Sequence, residues 1–376
     1  MSLEKWGEAG VNFLQIKSGL SRHVVRFVKI RGKAFAVKET SGEAARREFE
    51  AYARLHVLGV PTLRPVGTAM RDEGMRSVAT EVGNQIERHT TGYLVTQLLE
   101  FAIPDYFLFR RAFTKMNRKR IWESIIRLFV LLHSKGVYWG DPSLSNMMIV
   151  FGKENIPGLG VRTVLRAVLA DAETVEFYPK LSEKMRMADV EYLFESMAWT
   201  EADLRSSGIL GEPLMTTEDQ NYFLRRYRDM MTIEEEEEKF ALITKIDVDS
   251  LIGPFQAPGQ ARALLQHIYE HKWYLSERDK SEVSIEDAAL DWYLTIFKPV
   301  IDIFNKHSVI DEFPDRTAAS LYLDIMLHKY YLSERTGRDI GVVAAFESYS
   351  KKFKDRSGAM EKLMKLARSV EELFRR

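Results

Sequence analysis

The sequence of 376 residues contains no cysteine. The chain therefore cannot form a disulfide framework, a cysteine-ligated zinc or iron–sulfur site, or a thiol nucleophile. Histidine is scarce as well, with 8 residues, and the histidines do not follow a metal-ligand spacing. Any chemistry must therefore come from carboxylates, amides and lysine.

The chain also lacks an excess of charge of either sign, because 54 basic residues balance 54 acidic ones. Without a global positive field, binding to nucleic acid or to anionic lipid is not expected as the main activity. Long apolar runs are missing too, since the most apolar stretch, residues 125–132, is short and is interrupted by Arg127. The chain starts without the basic and apolar run of a signal peptide, so we expect a cytoplasmic protein without a transmembrane segment.

Hydropathy patterning divides the chain into three parts, residues 1–100, 101–205 and 206–376. The first part alternates as strands do and contains one helix, which begins after Ser41. The second and third parts are mainly helical, so the predicted fold class is α+β. The predicted strands of the first part are residues 11–16, 23–30, 34–37, 63–69 and 93–99.

Two segments stand out from this pattern. Residues 71–91 are polar and are predicted to form a loop. Residues 121–133 are apolar around nearly the whole helix surface, which predicts a buried helix.

The last part contains an internal repeat, at about residues 261–298 and 318–354. The motif His-Lys-Trp-Tyr-Leu-Ser-Glu-Arg at 271–278 recurs as His-Lys-Tyr-Tyr-Leu-Ser-Glu-Arg at 328–335. Each copy predicts a helix, a short loop and a second helix. We expect the aromatic residues to pack a shared core, with a ligand or partner surface as the alternative. The paired hairpins are compatible with a homodimer formed through this part.

One loop carries residue types suited to catalysis. Asp141 and Asn146 lie between the buried helix and an apolar strand. Phosphoryl transfer needs a carboxylate that accepts the proton of the attacking hydroxyl and an amide oxygen that holds magnesium. The pair alone leaves the question open, because a turn favours the same residue types.

Three further residues follow the order that this mechanism needs. Lys38 ends the predicted strand 34–37 and could reach the α and β phosphates of a nucleotide. Glu48, or its neighbour Glu50, could hold that lysine from the following helix. Asp171 follows a second apolar strand and could bind magnesium. Each residue also has an interpretation without function. Lys38 would be a solvated lysine at a strand end, the glutamate would lie on a solvated helix face, and Asp171 would begin a turn.

The ordered set of Lys38, Glu48, Asp141, Asn146 and Asp171 resembles the protein-kinase-like superfamily. The resemblance implies a two-lobed fold, with an antiparallel five-stranded N-lobe and a helical C-lobe. An all-α C-terminal domain with the helical-hairpin repeat follows these lobes.

Within that superfamily, residues 48–61 and 136–141 are most similar to the bacterial lipopolysaccharide (Kdo) kinase-like group. Residues 171–176 and the Tyr-Leu-Ser-Glu-Arg motif resemble a bacterial family of unknown function that lies near this group. The resemblance implies ATP and Mg²⁺ as cofactors.

The resemblance implies a role for each matching residue. Lys38 would contact the α and β phosphates, Glu48 would anchor Lys38, and Asp141 would be the catalytic base. Asn146 and Asp171 would hold Mg²⁺.

Further positions follow from the same resemblance. Asp189 would brace the catalytic loop from a later helix. The hinge beside adenine would span residues 98–101. The turn over the phosphates would consist of Ser18, Gly19, Leu20 and Ser21, and the hinge would include Leu99, Glu100 and Phe101.

The departures from the family pattern bear on the acceptor. Trp139 and Gly140 stand where protein kinases have His-Arg, and Ser143 and Ser145 replace the cations that follow the catalytic Asp. No Ala-Pro-Glu motif occurs. These features favour transfer of the γ-phosphate to a hydroxyl of a small-molecule, sugar or lipid-linked acceptor. The alternatives are an atypical protein kinase and a nucleotide-binding pseudokinase or scaffold. The pseudokinase is favoured by the phosphate loop, which contains a single glycine, Gly19.

Overall fold

The structure is a computed structural model. It describes residues 2–8, 10–16, 23–80, 83–104, 108, 115–156, 160–208, 213–306, 309–310, 313 and 316–353. The phosphate-loop residues predicted from the sequence, Ser18 to Ser21, lie outside these residues.

The chain divides into two compact units. The first comprises Met1–Glu154 and Thr163–Tyr227, and the second comprises Asn155–Arg162 and Arg228–Arg376. The three-part division predicted from the sequence, with a boundary before residue 206, stays a prediction.

The first unit begins with a four-stranded antiparallel sheet in the order β1, β2, β4, β3. A two-residue turn joins the first two strands, and both of its residues, Arg31 and Gly32, have positive φ, as tight hairpins require. The strands are β1 (Val24–Ile30), β2 (Lys33–Ser41), β3 (Arg64–Thr80) and β4 (Gly83–Gln97).

The sheet differs from its sequence-based prediction in two places. Residues 11–16, predicted as a fifth strand, contribute one isolated bridge, from Phe13 to Val28, in the described part of the chain. Residues 71–91, predicted as a loop, extend β3 and β4 into a long hairpin that pairs as far as Thr80 and Gly83. Strand pairing satisfies backbone groups without apolar side chains, so a polar sequence does not exclude it.

Helix α1 (Gly42–Val57) follows β2 directly and packs against β3 and β4. Ser41 caps the helix, because its side chain accepts a hydrogen bond from the backbone N–H of Ala44 at 3.1 Å. The buried face of the helix carries Ala45, Glu48, Tyr52 and Leu55. The charged side chain of Glu48 is therefore held against the sheet among apolar side chains.

The helical part of the first unit is built on α2 (Lys115–Ser134), whose burial agrees with the sequence-based prediction. Trp122, Phe129 and Leu132 of this helix are fully buried. Strands β5 (Ala102–Pro104), β7 (Met147–Ile156) and β8 (Gly160–Leu169) form one small sheet, and β6 (Val137–Tyr138) and β9 (Glu176–Phe177) form another. Helix α3 (Glu183–Ser206) and the beginning of α4 (Thr217–Thr244) complete the unit.

The second unit is helical in its described residues, apart from the strand residues at 155–162. Its core includes Leu264, Ile268, Trp292, Leu321 and Ile325. No helix in the described parts of either unit has the length and hydropathy needed to cross a membrane. The helices after α4 are α5 (Gln260–Asp279), α6 (Ile285–Trp292), α7 (Lys298–Lys306), α8 (Ala318–Thr336) and α9 (Gly341–Phe353).

The sequence repeat is a pair of helical hairpins, α5–α6 and α8–α9, as predicted. Equivalent contacts recur in both copies. His271 Nε2 lies 2.6 Å from Asp291 Oδ2, and His328 Nε2 lies 2.9 Å from Ser348 Oγ. A lysine–carboxylate pair also recurs, Lys272 with Glu282 and Lys329 with Asp339. The two histidines therefore share a structural role between the helices of each hairpin.

The aromatic residues of the repeated motif do not pack as expected. Trp273, Tyr274, Tyr330 and Tyr331 are each more than half exposed, so the prediction that they fill a shared core is wrong. In α5 the buried stripe runs through Leu264, Ile268 and Leu275, which leaves the two aromatic positions off that face. The predicted homodimer through this part stays a prediction.

Along the chain, an antiparallel sheet with one packed helix precedes a mainly helical part that also contains the two small sheets. The predicted α+β fold class, with a helical C-terminal part, is confirmed.

Candidate active site

Lys38 forms the centre of a charged cluster in the first unit. Its Nζ lies 2.9 Å from Glu48 Oε2 and 3.1 Å from Asp171 Oδ2. Strand β2 presents the lysine beside α1, and the burial of Glu48 directs that carboxylate to it, whereas Glu50 is exposed. The structure therefore brings together Lys38, Glu48 and Asp171, and it selects Glu48 over Glu50 as the partner of the lysine.

Burial and charge shift the proton affinities in this cluster. Burial and the charge of Asp171 raise the pKa of Glu48 to about 7, against the opposing effects of Lys38 and Tyr52. Burial by itself lowers the pKa of Lys38, but the charges of Asp171 and Glu48 raise it overall. The lysine is therefore positively charged at neutral pH, and the cluster holds an excess of negative charge.

A third carboxylate, Glu173, was not among the predicted site residues. Its Oε2 lies 3.4 Å from Lys38 Nζ and 3.1 Å from His23 Nε2. Its backbone N–H donates to Asp171 Oδ1 at 3.0 Å, so the turn after β8 brings both carboxylates to the lysine. Burial opposes ionisation of Glu173, but Lys38 and His23 lower its pKa overall. The Asp-x-Glu spacing in the sequence is the signal that could have identified it.

Tyr52 fixes Glu48 from the other side. Its hydroxyl lies 3.1 Å from Glu48 Oε1 and donates to the carbonyl oxygen of Ala170 at 2.8 Å. Burial and the nearby carboxylates raise the pKa of Tyr52, so it remains a neutral donor. Helix α1 is thereby connected to the residue that precedes Asp171.

The predicted catalytic loop carries Asp141 and Asn146 between β6 and β7. The side-chain N–H of Asn146 donates to the backbone oxygen of Asp141 at 3.0 Å, which fixes the two residues relative to each other. Because the amide nitrogen is used in this way, the amide oxygen is the atom that Asn146 can offer to a cation.

Asp189 of α3 holds the beginning of this loop, as the resemblance implies. It is fully buried, and its two carboxylate oxygens accept the backbone N–H groups of Trp139 and Gly140, each at 2.8 Å. His133 Nε2 lies 3.1 Å from Asp189 Oδ2, and its Nδ1 lies 2.7 Å from the hydroxyl of Tyr227. Three elements therefore fix the turn that leads to Asp141.

Trp139 and Gly140, the residues that depart from the kinase pattern, have structural roles. The indole N–H of Trp139 donates to the backbone oxygen of Asp171 at 3.2 Å, and the ring is fully buried. Gly140 has a φ of 81°, and a Cβ there would lie 3.1 Å from the backbone oxygen of Thr174. The buried indole thus links the two loops that carry Asp141 and Asp171.

These groups line one cavity of about 560 Å³ in the first unit. Lys38, Glu48, Asp141, Asn146 and Asp171 all contribute to its wall. An apolar part of the wall comes mainly from the four-stranded sheet, with one residue just before β3 and one in β7: Val25, Phe27, Ala36, Leu94, Leu63 and Met148.

The predicted hinge contributes only in part to the described lining of this cavity. Leu98 and Leu99 line the cavity, whereas Glu100 and Phe101 are exposed and do not. The chain turns at Phe101, which has a φ of 56°, before it enters β5. Glu100 and Phe101 therefore lie outside the described lining of the cavity, and their assignment to a hinge beside adenine stays a prediction.

The carboxylate cluster has the donor set of a magnesium site. Glu48, Asp171 and Glu173 each offer an oxygen, and these oxygens lie within 4.8 Å of one another. Carboxylate and amide oxygens are the ligands that Mg²⁺ prefers. Three carboxylates face one lysine, so a divalent cation would balance the excess negative charge.

Comparisons with known proteins give likenesses at low sequence identity. Residues 257–353 match the model of a domain of unknown function, DUF4032, and the sequence-based resemblance to a family of unknown function includes this region. No curated protein matches the chain.

Three solved structures are similar to this chain. A structure titled WaaP in complex with acyl carrier protein is 17% identical, covers 63% of this chain and 87% of its own, and has a TM-score of 0.39. The Rio2 kinase from Chaetomium thermophilum is 15% identical, with 63% and 76% covered and a TM-score of 0.35. An aminoglycoside-3'-phosphotransferase of type VIII is 14% identical, with 58% and 86% covered and a TM-score of 0.37. The function proposed below rests on the side-chain geometry of the chain itself.

Proposed function

We propose that this protein is an ATP- and Mg²⁺-dependent phosphotransferase that transfers the γ-phosphate to a hydroxyl of a small-molecule, sugar or lipid-linked acceptor. The observation that carries the proposal is the charged cluster of Lys38, Glu48 and Asp171, which shares one cavity with Asp141 and Asn146. A partly buried lysine that is oriented by two carboxylates suits the binding of a polyphosphate.

The nucleotide occupies the cavity with its base against the apolar wall and its phosphates near Lys38. Leu98 and Leu99 provide apolar contacts beside the base, as the lining residues of such pockets commonly do. Lys38 contacts the α and β phosphates, and Glu48, fixed by Tyr52, keeps the ammonium group in place.

Asp171 and Asn146 would hold Mg²⁺, and Glu173, which lies next to Asp171 in the cluster, would assist them. When bound, the ion neutralises the charge of the phosphates. Lys38 would keep its contact with Glu48 when Asp171 holds the ion, so the ammonium group would stay oriented for the nucleotide.

Asp141 orients the acceptor hydroxyl and accepts its proton. The hydroxyl oxygen forms a new bond to the γ-phosphorus, the bond from that phosphorus to the leaving oxygen of ADP breaks, and the proton passes to Asp141. Asp189 acts through the backbone of Trp139 and Gly140, so it is a positioning residue.

Calorimetry of ATP binding tests the nucleotide and metal assignments. We expect the wild-type protein to bind ATP more tightly with Mg²⁺ than with EDTA, and Asp171→Asn to lose that difference. Asp302→Asn is a matched control, because Asp302 forms an exposed pair with Lys298 in the second unit. If Asp171→Asn keeps the full magnesium effect, the metal assignment is wrong, and if the wild type does not bind ATP, the proposed function is wrong.

Turnover distinguishes an enzyme from a pseudokinase. ADP release is measured with a mixture of small-molecule acceptors, for the wild type and for Asp141→Asn. A phosphotransferase shows acceptor-dependent ADP release that Asp141→Asn reduces by at least about 100-fold, the usual contribution of a general base. ATP binding without any acceptor-dependent release would instead indicate a pseudokinase.

A further inference from the structure

The cavity of the first unit contains a basic side chain that the proposed mechanism does not use. Among the described residues that line the cavity, the basic side chains are Lys38 and His23. Lys38 is assigned to the phosphates, whereas His23 has no role in the mechanism. A polyphosphate carries several anionic oxygens, so more than one donor is expected around it.

His23 and Lys38 meet at one oxygen atom. Oε2 of Glu173 lies 3.1 Å from His23 Nε2 and 3.4 Å from Lys38 Nζ. The paired strands β1 and β2 account for this arrangement, because Val25 of β1 lies opposite Lys38 of β2. Residues two apart in an extended chain point to the same side, so His23 extends from the face that presents Lys38.

The surroundings of this carboxylate oxygen are those of a bound phosphate oxygen. An ammonium group and an imidazole nitrogen lie on either side of it, and both belong to residues that line the cavity. The imidazole of His23 donates from Nε2 when the ring is protonated, and also when the neutral ring carries its hydrogen on Nε2. A phosphate oxygen at the position of Glu173 Oε2 would therefore meet the same two donors.

Glu173 is the carboxylate of the cluster that is easiest to displace. Its contact with Lys38 is the longest of the three, at 3.4 Å against 2.9 Å for Glu48 and 3.1 Å for Asp171. Its side chain is 42% exposed, compared with 29% for Asp171 and 1% for Glu48. An exposed ion pair contributes little stability, so the side chain of Glu173 can turn into solvent at a small cost.

The charge of the cluster requires such a displacement. Three carboxylates already face Lys38 and His23, and Glu48 and Asp171 stay beside the lysine. A further anion between the two nitrogen atoms would be repelled as long as the carboxylate of Glu173 remains there. An anion therefore reaches both donors only in exchange for Glu173.

We propose that Glu173 occupies the position of a nucleotide phosphate oxygen in the ligand-free protein, and that His23 and Lys38 together bind that phosphate once Glu173 has turned away. This inference rests on the proposed function, because the phosphate is that of the proposed nucleotide. It adds His23 to the residues that bind phosphate and makes Glu173 an internal competitor of the nucleotide. The exchange involves noncovalent contacts alone.

Calorimetry on the full chain with Mg²⁺ tests the role of His23. The probes are ATP and inorganic tripolyphosphate, which lacks the base and the ribose. His23→Ala should weaken binding of both probes by the same factor of at least about 10, since it removes a hydrogen bond to a charged group. His23→Gln, which keeps a side-chain N–H donor, should regain part of the affinity. His56→Ala is the matched control, because His56 is exposed on α1, and it should leave both affinities unchanged.

Two results would overturn this role. Unchanged affinity for both probes in His23→Ala would show that His23 does not contact the phosphates. A loss of affinity for ATP alone would place the contact at the base or the ribose. Circular dichroism of each variant verifies that the fold is kept, and the comparison of His23→Gln with His23→Ala decides the question if the alanine variant does not fold.

Tripolyphosphate binding in EDTA tests the competition by Glu173. Glu173→Gln should bind this probe at least about 3-fold more tightly than the wild type, because the competing carboxylate is gone. Asp203→Asn is the charge-matched control, since Asp203 is another acidic residue of the cavity lining. It should produce a smaller gain. Equal gains in the two variants would indicate a general effect of charge and refute the competition, and so would the absence of a gain in Glu173→Gln.

The two probes keep this inference separable from the proposed function. If the wild type binds ATP with Mg²⁺ and the His23 variants bind it equally well, this inference is wrong and the proposed function stands. If the wild type binds tripolyphosphate with the expected variant effects but does not bind ATP, the nucleotide assignment is wrong and the anion site at His23 and Lys38 stands.

Discussion

Replacing Asp189 by Asn should destabilise the first unit and loosen the catalytic loop. The two oxygens of the carboxylate accept the backbone N–H groups of Trp139 and Gly140, each at 2.8 Å, in a fully buried setting. An Asn amide keeps only one acceptor oxygen, so one N–H group must face the NH₂ group instead. His133, at 3.1 Å from the carboxylate, loses its charged partner in the same substitution.

The magnitude follows from those three contacts. A hydrogen bond to a charged group contributes about 1.5–3 kcal/mol, and leaving a buried donor unsatisfied adds a similar cost. Loss of one such bond and weakening of a second should reduce the free energy of unfolding by about 3 kcal/mol. The change is a large fraction of a total stability of about 5–15 kcal/mol.

Urea denaturation followed by circular dichroism measures this loss in the full chain. Glu191→Gln is the matched control, because Glu191 is an exposed carboxylate on the same helix α3. The control should change the free energy of unfolding by less than about 0.5 kcal/mol. A loss below about 1 kcal/mol in Asp189→Asn would refute the conclusion that this carboxylate holds the loop.

Two further predictions concern Glu48 and the repeated hairpins. The folded-state pKa of Glu48 is raised from 4.5 to about 7 by burial and by Asp171. In EDTA the folded protein therefore binds more protons than the unfolded chain between these pH values, and stability falls as pH rises through that window, by up to about 3 kcal/mol. Urea denaturation at pH 5 and pH 8 should show this decrease in the free energy of unfolding in the wild type and a smaller decrease in Glu48→Gln. Equal decreases in the two proteins would contradict the raised pKa of Glu48. In the second unit, Trp292→Ala should cost about 3–5 kcal/mol, whereas Trp273→Ala should cost less than about 0.5 kcal/mol, because Trp292 is buried and Trp273 is exposed. Thermal denaturation of both variants tests this difference, and similar losses of stability would contradict the exposed position of Trp273.

The local patterns in the sequence predicted many elements well. The cap at Ser41, the all-round apolar helix at 121–133 and the repeated hairpins all appear in the structure, because each depends on residues close in sequence. The polar segment 71–91 was predicted incorrectly, since backbone pairing between β3 and β4 does not require an apolar pattern. The repeated aromatic motif was also misread, because an aromatic pair in a helix can lie on either face.

For the candidate site, the residue types and their order come from the sequence, whereas their contacts come from the tertiary structure. The sequence by itself determined the order of Lys38, Glu48, Asp141, Asn146 and Asp171 along the chain, and with it the type of chemistry that we propose. Motif spacing is a property of the sequence, so it can be read without coordinates.

Only the tertiary structure decided which of these groups meet. It shows that Glu48, rather than Glu50, contacts Lys38, and that Glu173 and His23 belong to the same cluster. It also places several side chains of helix α3 in the lining of the cavity. Lys38 and Asp171 are 133 residues apart in sequence, yet their side-chain atoms lie 3.1 Å apart. Contacts over such separations depend on how strands and helices pack, and burial then sets the pKa of each group. A single sequence records the residue types but not that packing.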